Sequence, residues 1–360
     1  MQQHGKVLYE KDMHSRKYPA STTKILTAII ALEKCDLNEI ATASHSAVFS
    51  VKSGYSIANI QEGESFTIGE LLDVLMLQSA NEAANVIAEH ISGSVGEFAK
   101  LMNQKAKEIG CLDSNFVNAN GAHNDNHYST AYDLALIARY CMQNEEFRKI
   151  VIKRECSLPT TEIYTEPRIF RNTNSLMQEN SRYYYPYCNG IKTGFTTPAK
   201  NCLISSSNKN NFELISVILH AEATEDGLSA RYLDTINLFE YGYNNYNQDD
   251  ILVEYNMLSA SEQQIQEENL KEEILFTIED DFKKDQEAVA GIVENEHKVK
   301  MNPEIKEWMK IIVGVLILLV MWKRYKIKLR LREEEREANL NYRVSHREIV
   351  PDSAYNFKLT

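Results

Sequence analysis

Three short motifs, each tied to a different kind of backbone element, constrain this chain more than any other feature. Ser21-Thr22-Thr23-Lys24 opens a helical pattern. Ser79-Ala80-Asn81 sits between two helical patterns, and Lys192-Thr193-Gly194 falls in a run of strand signals. A fold that brings the three together must pack helices against a sheet and place its cleft at their junction.

The first motif follows Pro19-Ala20, a composition suited to a helix start. Ile25, Ala28, Ile29 and Leu32 then repeat at the spacing of a buried helical stripe, which puts Ser21 and Lys24 on one face. A serine hydroxyl needs a base to become a nucleophile, and a lysine amine serves once it is neutral. The first turn of a helix also offers free N–H groups to a developing oxyanion. Taken alone, the same residues read as a Ser/Thr-rich cap followed by a surface lysine.

The second motif lies between Leu71–Leu77 and the pattern Ala83, Ala84, Ile87, Ala88, Ile91. A hydroxyl and an amide held there can relay a proton and bind a peptide carbonyl. In isolation Ser79 or Asn81 would be an N-cap for the segment that begins at Glu82. The third motif leads into Asn201–Ser205, and the polar turn 208–211 separates that strand from Phe212–Leu219. Lys192 and Thr193 suit a terminal carboxylate. Gly194 leaves room for a close backbone, which an extended peptide would use; its other reading is a bulge at a sheet edge.

With these residues in view the chain resembles the D-alanyl-D-alanine carboxypeptidases, the low-molecular-weight penicillin-binding proteins. The resemblance also rests on Gly5–Glu10, Tyr18–Lys24, Gln78–His90, His127–Ala135, Asn189–Gly194 and Leu238–Asn245, and covers residues 5 to 247. It implies an α/β penicillin-binding/β-lactamase-like domain: a central antiparallel sheet flanked by helices, with a helical insertion from about 40 to 150. It implies that Ser21 attacks the penultimate D-alanine carbonyl of a peptidoglycan stem peptide, with Lys24 as base and Ser79 passing the proton to the leaving amine. Asn81, Lys192, Thr193 and Gly194 would bind substrate, and the backbone N–H groups of Ser21 and Phe195 would form the oxyanion hole. β-Lactam antibiotics would trap Ser21. No cofactor or metal is implied.

Departures from the family pattern are Asn189 in place of aspartate, Lys200 in place of glycine, and the loop Ala122–Asn126. Two other readings share the motifs: a catalytically weak penicillin-binding scaffold, and a β-lactamase-related hydrolase, for which no clear glutamate motif is present. His123 and His127, with Asp125 between, have a spacing that suits a metal on a helix, but their Asn- and Gly-rich surroundings predict a loop.

The net charge of −12 argues against nucleic-acid partners. The six cysteines are scattered without a C-x-x-C pair and read as free thiols. Residues 249–307 carry 17 acidic against 6 basic side chains, so nearly all the net charge lies there. The organisation expected is a catalytic domain over 1–247, an acidic β-rich domain or stalk over 248–304, a membrane-spanning helix over 305–325 in contact with lipid, and a basic cytoplasmic tail over 326–360. Strand-like runs within the stalk are 251–253, 273–278 and 288–293. The apolar core Ile311–Trp322 is short for a span, but tryptophans and lysines flank it and a basic run follows. Together these predict a single-pass cell-membrane protein with its catalytic domain outside the cytoplasm. Met1 is followed by polar residues rather than an export signal, which predicts that the sequence starts late.

Overall fold

The computed structural model describes residues 5–225 and 227–253, and beyond them positions 256, 280, 283, 284, 287, 302–304, 307, 308, 311, 312, 314, 315, 322 and 326. The chain divides into two compact units, Met1–Ser259 and Ala260–Thr360. The architecture below is that of the first.

A 3₁₀ turn, Ala20–Thr23, leads directly into α1, Lys24–Lys34. The first eight residues of α1 are all buried, so other elements surround it and its polar first residue, Lys24, is carried inside with them. β1 (Ile40–Thr42) pairs antiparallel with β2 (Ser65–Thr67), enclosing the short α2 (His45–Phe49). α3 (Ile68–Leu77) starts at a capping box in which Thr67 and Glu70 satisfy each other's backbone N–H groups. α4 (Asn81–Ser92), α5 (Val95–Ile109), α6 (Ala131–Met142) and α7 (Glu145–Val151) follow. Ser94, Thr130 and Asn144 cap the last three through their side chains. The helical insertion expected from 40 to 150 is therefore present, with the β1–β2 pair added at its start.

A small hairpin, β3 (Glu155–Leu158) with β4 (Arg168–Arg171), precedes the main sheet of β5 (Cys188–Thr196), β6 (Lys200–Lys209) and β7 (Phe212–Ala221). These three strands are antiparallel in sequence order. Asn210 and Asn211 both take positive φ, at 55° and 64°, which gives the two-residue hairpin connection between β6 and β7. α8 (Ala230–Asn245) closes the unit.

Strand alternation decides which helices cover which side. Leu203 and Leu214 pack with Tyr232 and Phe239 of α8. Their neighbours Ile204 and Ile215 join the core that contains Ile25 of α1, Ile137 of α6 and Phe147 of α7. Adjacent strand residues thus enter different cores, as the period of two requires, and the sheet carries helices on both faces as expected.

One expectation changes, and others lie mostly outside the described residues. The segment Val7–Glu10 is held by burial of Leu8 and by the Tyr246 hydroxyl, which donates to the Leu8 carbonyl at 2.9 Å. Ile251–Val253, read as strand-like, is helical. The side chain and the carbonyl of Asn247 accept from the amides of Asp249 and Ile251, starting a turn that buries Ile251 beside Leu8. The transmembrane helix expected over 305–325 falls mostly outside the described residues, the runs 273–278 and 288–293 wholly so, and nearly all of the tail 326–360 as well. Among the described residues no helix is long and apolar enough to cross a membrane.

Candidate active site

The two ends of the first motif meet as expected, though the backbone reaches them differently. Ser21 sits in the 3₁₀ turn rather than on α1 itself, and Ala20 before it takes φ +48°. That turn is pressed against Gly121: a side chain there would place its Cβ 1.9 Å from the Ala20 carbonyl oxygen, and φ at Gly121 is +78°.

Lys24 is fully buried, and its Nζ has three oxygen neighbours. These are Ser21 Oγ at 3.0 Å, Asn81 Oδ1 at 3.0 Å and the Asn120 carbonyl at 2.6 Å. Burial, then the nearby Lys192 ammonium, holds the lysine well below its ordinary range, against a smaller opposing effect of Glu82. A neutral amine has two N–H donors and one lone pair. The two amide oxygens take the two donors, which leaves the lone pair to accept the Ser21 O–H. Burial is what favours that neutral state, and the three oxygen neighbours accommodate it.

The second motif lies between α3 and α4. Ser79 is buried with φ +66°, and Ala80, not Ser79 or Asn81, occupies the N-cap position of α4. The alternative reading of a simple helix cap therefore fails: no side-chain cap is made there, and Asn81 turns inward to Lys24. Its Nδ2 donates to the Ser56 carbonyl at 2.8 Å, so both ends of the amide are fixed.

The third motif runs along β5. Lys192 is buried, with its Nζ donating to the Thr193 carbonyl at 3.2 Å. Burial, then the Arg231 guanidinium, lowers its pKa to about 7. Thr193 Oγ1 lies 2.7 Å from Thr173 Oγ1, and the Arg231 Nη1 of α8 donates to the Gly194 carbonyl at 3.3 Å. A Cβ on Gly194 would stand 3.1 Å from the Ser21 amide nitrogen and 3.2 Å from that of Thr22. The space read as room for a peptide is taken by the chain's own Ser21 turn, which ties β5 to Ser21. Phe195 follows with its side chain exposed. A cavity of about 810 Å³ lies between residues 7–17 and β7, and none of these motif residues lines it.

Sequence reasoning missed three groups and considered a fourth, His127, only as a metal ligand. The Asn120 carbonyl is a backbone atom with no side-chain signature. Arg231 lies far along the chain, and only the sheet brings α8 beside β5. Glu82 is buried next to Asn81; its Oε1 accepts from the amides of Ala58 and Ile60, and burial raises its pKa. His127 is buried, accepting at Nδ1 from the Val117 amide at 3.1 Å, so its Nε2–H donates to Thr23 Oγ1 at 2.8 Å. Burial, then Lys24 and His123, lowers its pKa to about 4. His123 instead lies 3.5 Å from Asp125 and edge-on to Tyr18, so the two histidines do not converge, as a loop reading requires. Lys200 adopts φ +56°, the conformation that favours glycine, and its ammonium lies 3.5 Å from Glu222.

A half-buried serine in contact with a buried lysine, beside a strand that carries a second buried lysine, is the arrangement an active-serine hydrolase needs. A sequence profile of the D-alanyl-D-alanine carboxypeptidases matches residues 1–223, and the chain belongs to that family of serine peptidases. The D-alanyl-D-alanine carboxypeptidase DacF of Bacillus subtilis is 34% identical over 249 residues, 67% of this chain and 60% of that protein. DacB2 of Mycobacterium tuberculosis is 30% identical over 242 residues, 66% of this chain and 78% of that protein. The chain thus spans about three fifths of the Bacillus relative's length.

Among solved structures, a D-alanyl-D-alanine carboxypeptidase from Mycobacterium tuberculosis superposes with TM-score 0.62 at 28% identity. The match covers 68% of this chain and 88% of that one. The Streptomyces K15 DD-transpeptidase superposes with TM-score 0.61 at 28% identity, covering 68% and 95%.

Proposed function

We propose that this chain is a serine D-alanyl-D-alanine carboxypeptidase, acting on peptidoglycan stem peptides and acylated by β-lactams. The observation that carries the reading is the contact of a buried, pKa-depressed Lys24 amine with Ser21 Oγ at 3.0 Å. Ser21 Oγ attacks the penultimate D-alanine carbonyl while its proton passes to Lys24 Nζ. The amides of Ser21 and Phe195 receive the oxyanion. Ser79 relays the proton to the leaving D-alanine amine, and the C–N bond breaks to leave an ester on Ser21. Water then cleaves the ester and restores the hydroxyl. Asn81 orients the acyl amide, while Lys192 and Thr193 hold the terminal carboxylate beside Gly194.

The chemistry places the catalytic unit outside the cytoplasm, where the wall substrate lies. Residues 305–325, with tryptophans at 308 and 322 and a basic run after them, serve as a single span with 326–360 inside.

Incubation with labelled penicillin followed by peptide mass spectrometry tests the nucleophile. The adduct is expected on Ser21, and Ser21→Ala is expected to lose both the label and D-alanine release. An adduct on another serine rejects the assignment. Lys24→Ala is expected to slow acylation by about 10²–10⁴, the usual worth of a positioned base.

A further inference from the structure

Outside the active site, the described residues bring one mixed set of metal-binding donors together. The thiol of Cys35, a carboxylate oxygen of Glu39 and an imidazole nitrogen of His90 all lie within 4.8 Å of one another. His90 Nε2 and Glu39 Oε1 are 2.8 Å apart. We propose that Cys35, Glu39 and His90 form a structural site for a thiophilic divalent cation, Zn²⁺ above all, completed by water.

The donor types fit that ion. A thiolate, an imidazole and a carboxylate are the three ligand classes zinc accepts, at bond lengths of about 2.0–2.3 Å. Tetrahedral angles at those lengths set ligand atoms ~3.5 Å apart, so small side-chain rotations within the present cluster suffice. Charge fits as well: a thiolate and a carboxylate together neutralise a dication. Binding would release the Cys35 proton to solvent as the metal–sulfur bond forms.

The backbone holds each donor in place. Cys35 is the C-cap of α1, its amide donating to the Ala31 carbonyl at 3.0 Å. Glu39 lies just before β1, fixed by its amide to Asp36 at 3.1 Å and by its carbonyl accepting from Ile68 at 2.8 Å. His90 stands in the last turn of α4. Two of the donors thus sit at the two ends of the short 35–39 connection between α1 and β1, and the third stands on α4.

Position in the fold states what the ion would do. α1 begins at Lys24 and α4 begins at Asn81, and these two residues touch at 3.0 Å. The far ends of the same two helices meet at Cys35 and His90. The helices therefore run side by side, joined at one end by the Lys24–Asn81 contact and at the other by the proposed ion. Eleven residues of helix separate Lys24 from Cys35, about 16 Å. At that distance the metal braces the scaffold of the active site and takes no part in bond cleavage.

Cobalt titration of the metal-free full chain decides the proposal, since Co²⁺ reports a thiolate ligand by charge-transfer absorption and tetrahedral geometry by intense visible bands. One equivalent is expected to bind with both signatures. Cys35→Ser is expected to lose the charge-transfer band, and His90→Ala and Glu39→Gln to weaken binding at least tenfold. Cys141→Ser, which removes a buried thiol elsewhere in the core, is expected to bind as the wild type does. Zn²⁺ at a hundredfold excess over its Kd is expected to raise the thermal midpoint by on the order of 5 °C in the wild type and not in Cys35→Ser. The rate of Ser21 acylation at 25 °C is expected to be the same with zinc and with chelator. Wild-type cobalt affinity in Cys35→Ser or His90→Ala, or a cobalt spectrum without a thiolate band, overturns the site. A zinc requirement for acylation overturns the structural role.

Discussion

Replacing Lys192 with methionine is expected to move activity and stability in opposite directions. Methionine nearly preserves the side-chain volume and removes only the charge. In the free protein Lys192 is buried, and its pKa falls from 10.5 to about 7 because burial, helped by Arg231, penalises the ammonium. At 1.36 kcal/mol per tenfold, that displacement is on the order of 5 kcal/mol of destabilisation wherever the folded lysine stays charged. The sign follows from proton counts: between pH 7 and 10.5 the unfolded chain binds more protons, so stability rises with pH across that window and the full penalty applies below it. Allowing about half for imperfect packing of the new side chain leaves roughly 2 kcal/mol, or about 4–8 °C in thermal midpoint for a domain of this size. Catalysis should lose what the charge provides. A charge-assisted hydrogen bond to the substrate carboxylate is worth about 1.5–3 kcal/mol, some 10- to 150-fold in kcat/KM. The assays are calorimetry at pH 6 and steady-state cleavage of a D-Ala-D-Ala peptide beside its C-terminal carboxamide. Equal loss on acid and amide would reject the carboxylate contact. An unchanged or lowered midpoint would reject the buried-cation argument.

Gly194→Ala should leave the fold nearly as stable but cut the acylation rate by on the order of 10²-fold, because its Cβ would press on the Ser21 and Thr22 amides at 3.1–3.2 Å; penicillin acylation kinetics check it, and a wild-type rate would refute the close fit. His127, its pKa lowered from 6.5 to about 4, keeps the protein stable above pH 6.5, and that stability is lost as pH falls toward 4. His127→Gln should therefore flatten the acid limb of a melting-temperature–pH profile, by up to ~3 kcal/mol, and an unchanged limb would show the ring to be uninvolved. A tag after Thr360 should survive protease added to intact protoplasts, and its loss would exclude the spanning arrangement.

Motif chemistry was legible wherever it depended on spacing within one element. Ser21 and Lys24 are three residues apart, and any helical or 3₁₀ turn brings them into contact. The covering of the sheet by helices was expected only from the family resemblance; it took the structure to send Leu203 and Leu214 into one core and Ile204 and Ile215 into the other. Local pattern misled where a weak strand signal had a tertiary rival. Ile251 was drawn into a helical turn by Asn247 and by the buried space beside Leu8.

By itself, then, the sequence determined which groups could react, and in which kinds of element they lie. Their protonation was set by the tertiary structure. Lys24 can serve as a base only because α1 is enclosed over its first eight residues and because Asn81, the Asn120 carbonyl and Lys192 converge on its amine from elements 57 to 168 residues away in the chain. Gly194 likewise reads as space for a ligand until folding fills that space with the Ser21 turn. Desolvation and close approach arise only from residues distant in sequence, so no local window of residues contains them.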